Sequence, residues 1–400
     1  MKRVFASIFI IFLFTNYSCS QEKGLTTSQK ISDFNYLYSS LKENYPFFGV
    51  NIRQNGIDWL NKKDEYIDRI KKTKNDSSYI FVLKSIISEL NSGHVSFMPT
   101  QYYDAYLSIY KKSSETMPKY KTWVEVLESD SIKPKYWANI LENAIIQTDD
   151  KQDEKKQEKI RPNYSDTIIN NKVAVMNILS FNKFMIEKDK PKITKFLKNI
   201  AELEYLIVNI QENGGGATDY WKNNIVAQLI TSPIEYTNYV VIKDGDINRR
   251  FYPNSFVKGK ILRKDINLQN IPTELLKNKY YIKYSKDTIY PKDPIHFKGK
   301  IYLLVAKPVF SSSEGFAQFC KSTNWATVVG EQTGGDGNGG DPNIISLPES
   351  GILLVYPSQV GLNSDGSLNF EAKTIPDIEI KANTHAKRLE KTINYLINKE

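Results

Sequence analysis

Apolar positions along the chain change period, and the changes divide it. From Ile31 to about Asn91 they recur at helical spacing: Phe34, Leu37 and Leu41, then Ile80, Leu83, Ile87 and Leu90. Breaks fall at Tyr45-Pro46-Phe47-Phe48 and Asn55-Gly56. Such spacing lays one apolar stripe along each helix, so residues 20–100 read as a small bundle of roughly three helices. Residues 101–165 hold aromatic-rich helical pieces and then the charged run Asp149 to Lys159, a solvated connection that closes at Arg161-Pro162-Asn163. Beyond it the apolar runs shorten. Val173–Ile178 reads as a strand, Phe184 to about Leu203 as a helix and Tyr205–Ile210 as a buried strand. Strand–helix–strand alternation predicts an α/β core with parallel pairing over residues 166–400. Residues from about 235 to 297 are β-prone and rich in Tyr and Lys, and read as an insertion, a lid or strap over a site. Further strands are expected at Ile301–Val305, Ala326–Val329, Ile344–Leu347 and Ile352–Tyr356, followed by a terminal helix.

Three junctions between these elements carry chemistry. Ile301–Val305 runs into Ser311-Ser312-Ser313-Glu314, and Phe316, Phe319 and Cys320 then recur at helical spacing. A serine cluster at a strand-to-helix turn exposes a hydroxyl beside free helix N–H groups, which suits a nucleophile, although a Ser-rich helix cap has the same pattern. Tyr205–Ile210 runs into Asn213-Gly214-Gly215-Gly216, where glycines allow close backbone approach to a ligand or simply a tight turn. The loop lacks the Lys-Ser/Thr pair of a phosphate loop. His94, one of only 3 histidines, stands where the helical region ends at Ser92-Gly93. It is either a structural hydrogen bonder or a base.

Composition narrows the class. The 400 residues are 40% hydrophobic and 25% charged, enough for a folded protein with a large core. The net charge of +9 is spread along the chain, without zinc-finger spacing or a compact basic stripe, which argues against nucleic acid as a partner. Lys2 and Arg3 precede the apolar run Val4–Phe14, and polar residues lead to Cys19. That is the layout of a secretory signal, with 1–19 as the signal segment, and Cys19 resembles a bacterial lipoprotein processing site. It predicts an exported, lipid-anchored protein of the bacterial cell envelope. With Cys19 lipidated, Cys320 is the one remaining thiol, read as an inert core residue.

Taken together, the motifs resemble one family, the serine peptidases that include the C-terminal-processing (tail-specific) peptidases and the tricorn-protease core. Asn209-Ile210-Gln211-Glu212-Asn213-Gly214-Gly215-Gly216 is similar to the family's Asp-Leu-Arg-x-Asn-Gly-Gly-Gly, without its Asp and Arg. Ser311-Ser312-Ser313-Glu314 resembles Ser-Ala-Ser/Ala-Glu, in which the first serine attacks. Val329-Gly330-Glu331-Gln332-Thr333-Gly334-Gly335 resembles Val-Gly-Glu-x-Thr-x-Gly, and Glu371 through Pro376-Asp377 resembles Glu-x-x-Gly-Val-x-Pro-Asp. Tail-specific members carry a general-base Lys where this chain has Asp336, which cannot serve as an amine base. Tricorn-like members instead take a His from the end of the N-terminal helical region, where His94 stands, and no PDZ domain is discernible in residues 100–165.

The resemblance implies a crotonase-like (ClpP/crotonase-type) spiral core behind the helical bundle, with no metal or cofactor. It implies Ser311 as nucleophile, His94 as base and Glu371 as the group orienting the network, with Gly214, Gly215 and Ser312 N–H groups as the oxyanion hole. The substrate would be a peptide or an unfolded protein tail. Two other readings share these residues: a non-catalytic peptide-binding protein on the same fold, and a different acyl-transfer or hydrolytic activity.

Overall fold

The computed structural model describes residues 24–129, 161–256, 268–277, 279–337 and 339–398. The signal segment, Cys19 and the run Asp149 to Lys159 lie outside them. The N-terminal region folds into four helices: α1 (Thr27–Asn44), α2 (Phe48–Asn55), α3 (Lys63–Lys71) and α4 (Asp76–Ser88). Local chemistry sets their ends. Thr26 and Gln29 form a reciprocal capping box on α1, and Asn75 and Ser78 do the same on α4. Gly56 ends α2 in the left-handed region, at φ 68°. The break at Thr73–Asn75, invisible in the apolar period, makes the fourth helix.

Phe34, Leu37, Leu41, Ile80, Leu83, Ile87 and Leu90 are all buried, as their spacing predicts. Trp59 and Tyr66 fill the centre, and the Trp59 indole donates to the Ile86 carbonyl at 2.9 Å. Truncating a buried aromatic of this kind costs about 3–5 kcal/mol. The same apolar cluster continues into Val241, Ile282, Leu354 and Val360, so the bundle is packed onto the β structure and not separated from it.

The core is a six-stranded sheet in the order β12-β8-β7-β4-β3-β2. Its strands are β2 (Tyr164–Ile169), β3 (Val173–Ile178), β4 (Tyr205–Asn209), β7 (Lys300–Val305), β8 (Thr327–Gly330) and β12 (Ile378–Glu379). Only the β2–β3 pair is antiparallel. Both faces are covered, which is why β3, β4 and β7 read as continuous apolar runs. Phe196, Phe316 and Phe319 pack on one face, and Leu396 of the C-terminal helix (His385–Ile397) on the other. The α/β core behind a helical bundle is the architecture expected.

Two small sheets join bundle and core. The expected insertion contains β5 (Ile234–Lys243) and β6 (Tyr280–Ile289), an antiparallel pair extended by β11 (Gln359–Leu362). In the other, β1 (Ser96–Phe97) pairs with β10 (Leu353–Tyr356), which pairs with β9 (Asn343–Ser346). The β1 pairing anchors the chain two residues after His94. Between β1 and β2, α5 (Thr100–Thr116) and α6 (Lys121–Leu127) pack Tyr110 and Trp123 against Phe251 and Ile344.

Candidate active site

Ser311 sits between β7 and the helix Ser312–Thr323 at φ 57° and ψ −123°, a sparsely populated conformation for any residue but glycine. Holding it costs about 1–3 kcal/mol, so the surroundings must over-determine it. They do. Ser311 N donates to Gly335 O at 3.3 Å, Gly334 N to Val309 O at 2.7 Å and Gly315 N to Ser311 O at 2.9 Å. The helix is seated by Phe316, stacked on Trp221 with centroids 4.9 Å apart.

The three serines are not equivalent. Ser313 is buried, and its Oγ donates to Asn213 Oδ1 at 2.7 Å. Ser312 Oγ reaches Thr218 Oγ1 at 3.5 Å. Ser311 Oγ has no hydrogen bond among the described residues and sits, half-buried, on the strained turn. It is the hydroxyl left available.

The glycine loop lies against this turn. Buried Asn213 organises it, accepting Gly215 N at 2.9 Å and Ser313 Oγ while donating to Ile178 O at 3.2 Å. Gly215 has φ 110°, and a Cβ there would stand 2.8 Å from Phe310 O and 2.9 Å from Ser311 Cβ. No side chain fits. The Gly215 N–H is engaged by Asn213, which corrects its expected part: it permits close approach and is not a free donor. Gly214 is open on its Cβ side, and its N–H and that of Ser312 make no hydrogen bond among the described residues.

His94 comes to the turn from the bundle. Glu89, ending α4, is held by Lys62 and Arg69 at 2.5 and 2.6 Å and by Tyr66 at 2.9 Å, which fixes where the next residues begin. Gly93 then crosses the Phe310 ring so closely that a Cβ would be 3.1 Å from its Cζ. The His94 ring packs on Phe310, centroids 4.5 Å apart, beside Ser311 in the chain. Its Nδ1 is 2.6 Å from Asp336 Oδ2, and Asp336 is almost fully buried. Nε2 makes no hydrogen bond among the described residues. No hydrogen bond joins His94 and Ser311 among the described residues. Ser92 Oγ, nearby, is buried beside the Tyr45 hydroxyl.

Glu371 stands elsewhere. Its carboxylate takes three hydrogen bonds from Arg53, at 2.9, 3.2 and 2.8 Å, and makes no hydrogen bond with Ser311 or His94 among the described residues. The carboxylate on the histidine is Asp336. The sequence offered a signal, an acidic residue in the position of a family base, but only a histidine brought there from another region gives it a task. Glu314 is a second carboxylate close to Ser311 in the chain. It is buried three residues after Ser311, with Oε1 accepting from Asn369 Nδ2 at 2.8 Å and Thr374 Oγ1 at 2.6 Å, and burial raises its pKa. Among the described residues no group of three or more His, Cys, Asp or Glu side chains could hold a metal ion.

Residues 172–380 match the model of peptidase family S41. The chain belongs to that family. Among solved structures, this S41 protein resembles a candidate peptidase from Parabacteroides merdae ATCC 43184 at TM-score 0.58 and 17% identity, over 93% of this chain and 98% of that one. Mature CPAF complexed with lactacystin aligns at TM-score 0.58 and 13% identity, over 94% and 99% of the two chains. At such identities the likeness bears on the fold alone. No curated protein matched. The motif resemblance and the α/β fold class are thus borne out, in a family of serine peptidases.

Proposed function

We propose that this S41 member is a serine endopeptidase acting on peptides or unfolded protein tails, with Ser311, His94 and Asp336 as its working set. One observation carries the assignment: a histidine, held by a buried aspartate at 2.6 Å, packs on the residue preceding a strained, unbonded serine. In the first half-reaction Ser311 Oγ bonds to the scissile carbonyl carbon while its proton passes to His94 Nε2. The oxyanion accepts the N–H groups of Gly214 and Ser312, worth roughly 3–4 kcal/mol per donor in other enzymes. The C–N bond then breaks and His94 returns the proton to the leaving amine. Water, deprotonated by His94 Nε2, then bonds to the acyl carbon, the ester C–O bond to Ser311 breaks, and His94 returns the proton to Ser311 Oγ. Asp336 accepts the Nδ1–H throughout, holding the tautomer that leaves Nε2 basic. Glu371, by its pairing with Arg53, is left to structure.

The N-terminal layout supports export and lipid anchoring at Cys19, which incorporation of labelled palmitate into the whole chain, lost in Cys19→Ala, would test. For the chemistry, hydrolysis of an unfolded protein is measured for wild type, Ser311→Ala and His94→Ala. Loss in both variants is expected. A wild type that binds peptide but never cleaves it would overturn the assignment.

A further inference from the structure

The family's Asp-Leu-Arg-x-Asn motif carries an arginine where this chain has Gln211, yet a guanidinium stands against that position all the same. It belongs to Arg388, on the first turn of the C-terminal helix and almost fully buried. Arg388 Nη1 donates to Gln211 Oε1 at 2.8 Å. Nη2 lies 2.5 Å from Glu331 Oε1 and donates to Ala382 O at 2.9 Å. Gln211 is itself buried, and its Nε2 donates to Asn209 Oδ1 at 3.1 Å and His385 O at 3.2 Å. Asn209 in turn donates to Asn177 Oδ1 at 2.7 Å. A continuous polar chain therefore crosses the ends of β3 and β4 and finishes on the C-terminal helix.

The two acceptors sit at the roots of the two loops that build the site. Two residues after Gln211 comes Asn213, whose side chain holds Gly215 and Ser313. Five residues after Glu331 comes Asp336, the carboxylate on His94. The guanidinium also holds the Glu331 carboxyl below its ordinary pKa, so this acceptor stays charged. We propose that Arg388 is a positioning residue, one guanidinium that keeps the oxyanion loop (211–216) and the Asp336 loop (331–337) in register with each other. It is buried beneath the loops and acts only through them. A planar fork reaches two acceptors at once, which a lysine ammonium on one stem does less well. The guanidinium thus reaches the strand-end position from a helix distant in sequence, and docking of that helix is coupled to the geometry of the site.

The inference rests on the assignment of Ser311, His94 and Asp336, and two readouts on the full chain keep the two apart. For turnover of an unfolded protein, Arg388→Gln should lower kcat about tenfold to a hundredfold with KM little changed, the scale of a misplaced catalytic group. Arg388→Lys should recover little, and the transposition Gln211→Arg with Arg388→Gln should recover kcat to within about threefold of wild type. For amide hydrogen exchange, Arg388→Gln should deprotect 211–216 and 331–337 together, leave the α1–α4 bundle unchanged, and be reversed by the transposition. Wild-type turnover in Arg388→Gln, or a general loss of protection that the transposition does not repair, would overturn the clamp. An inactive wild type would overturn the catalytic assignment, and exchange would still decide the clamp.

Discussion

The two halves of the candidate site are held by different means. The serine side, Ser311 with the Gly214–Gly216 loop, grows from the ends of adjacent parallel strands β4 and β7, and each of its parts follows its strand within a few residues. The histidine side is assembled from far apart: His94 leaves a helical bundle, Asp336 sits in a glycine-rich loop, and they meet across 242 positions. The serine side thus inherits its geometry from sheet register. The histidine side depends on the bundle docking correctly, through Glu89, the Gly93–Phe310 contact and the β1–β10 pairing. Local backbone geometry can prepare a strained serine, but a histidine drawn from another region arrives only with tertiary packing.

Perturbations should separate the halves. The largest effect belongs to Ser311→Ala, which should lower turnover by about 10⁴-fold or more and abolish labelling by a serine-reactive phosphonate, without changing the thermal midpoint much. His94→Ala should match it in turnover but still label at Ser311, more slowly, because the turn itself survives. Gly215→Ala comes next. Its Cβ would fall 2.8 Å from backbone oxygen at φ 110°, so the loop must move away from Ser311, and kcat should fall about 10²–10³-fold. Gly93→Ala probes the histidine side more gently. Phe310 must give by a few tenths of an ångström, and a loss of about three- to tenfold in kcat with unchanged oxyanion-loop exchange is expected.

The smallest effect concerns docking of the bundle. Asp33 on α1 accepts Glu349 N at 2.7 Å and Ser350 N at 3.1 Å in the turn leading to β10, the partner of β1. Burial outweighs these hydrogen bonds and lifts its pKa from 3.8 to about 6. A raised carboxyl pKa means the folded state binds the proton more tightly. This contribution is fully present below about pH 4 and is lost as pH rises through about 6. Urea titrations at pH 5 and pH 7 should show a larger stability difference for wild type than for Asp33→Asn, by about 1 kcal/mol. An equal difference in both would remove Asp33 from the account.

What the sequence made legible follows the same division. β3 and β4, the serine turn and the glycine loop are written in contiguous residues, and all were read close to their observed places. Asp336 carries no local sign of its task, because that depends on a histidine that only packing brings to it. Glu371 has a motif in its favour, and nothing local discloses that Arg53 in α2 takes its carboxylate. Gln211 looked like a weakened motif until Arg388, from the last helix, stood beside it. The fourth bundle helix escaped because the polar turn Thr73–Asn75 interrupts no apolar stripe.

Whether Asp336 or Glu371 orients the histidine is read from kcat/KM on an unfolded protein for Asp336→Asn beside Glu371→Gln. The amide at 336 leaves the packing in place but favours the wrong imidazole tautomer, and a loss of about 10³–10⁴-fold is expected. Glu371→Gln should stay within about threefold of wild type, since it loses only a partly exposed pair with Arg53. The reverse ranking, with Glu371→Gln inactive and Asp336→Asn near wild type, would contradict the account.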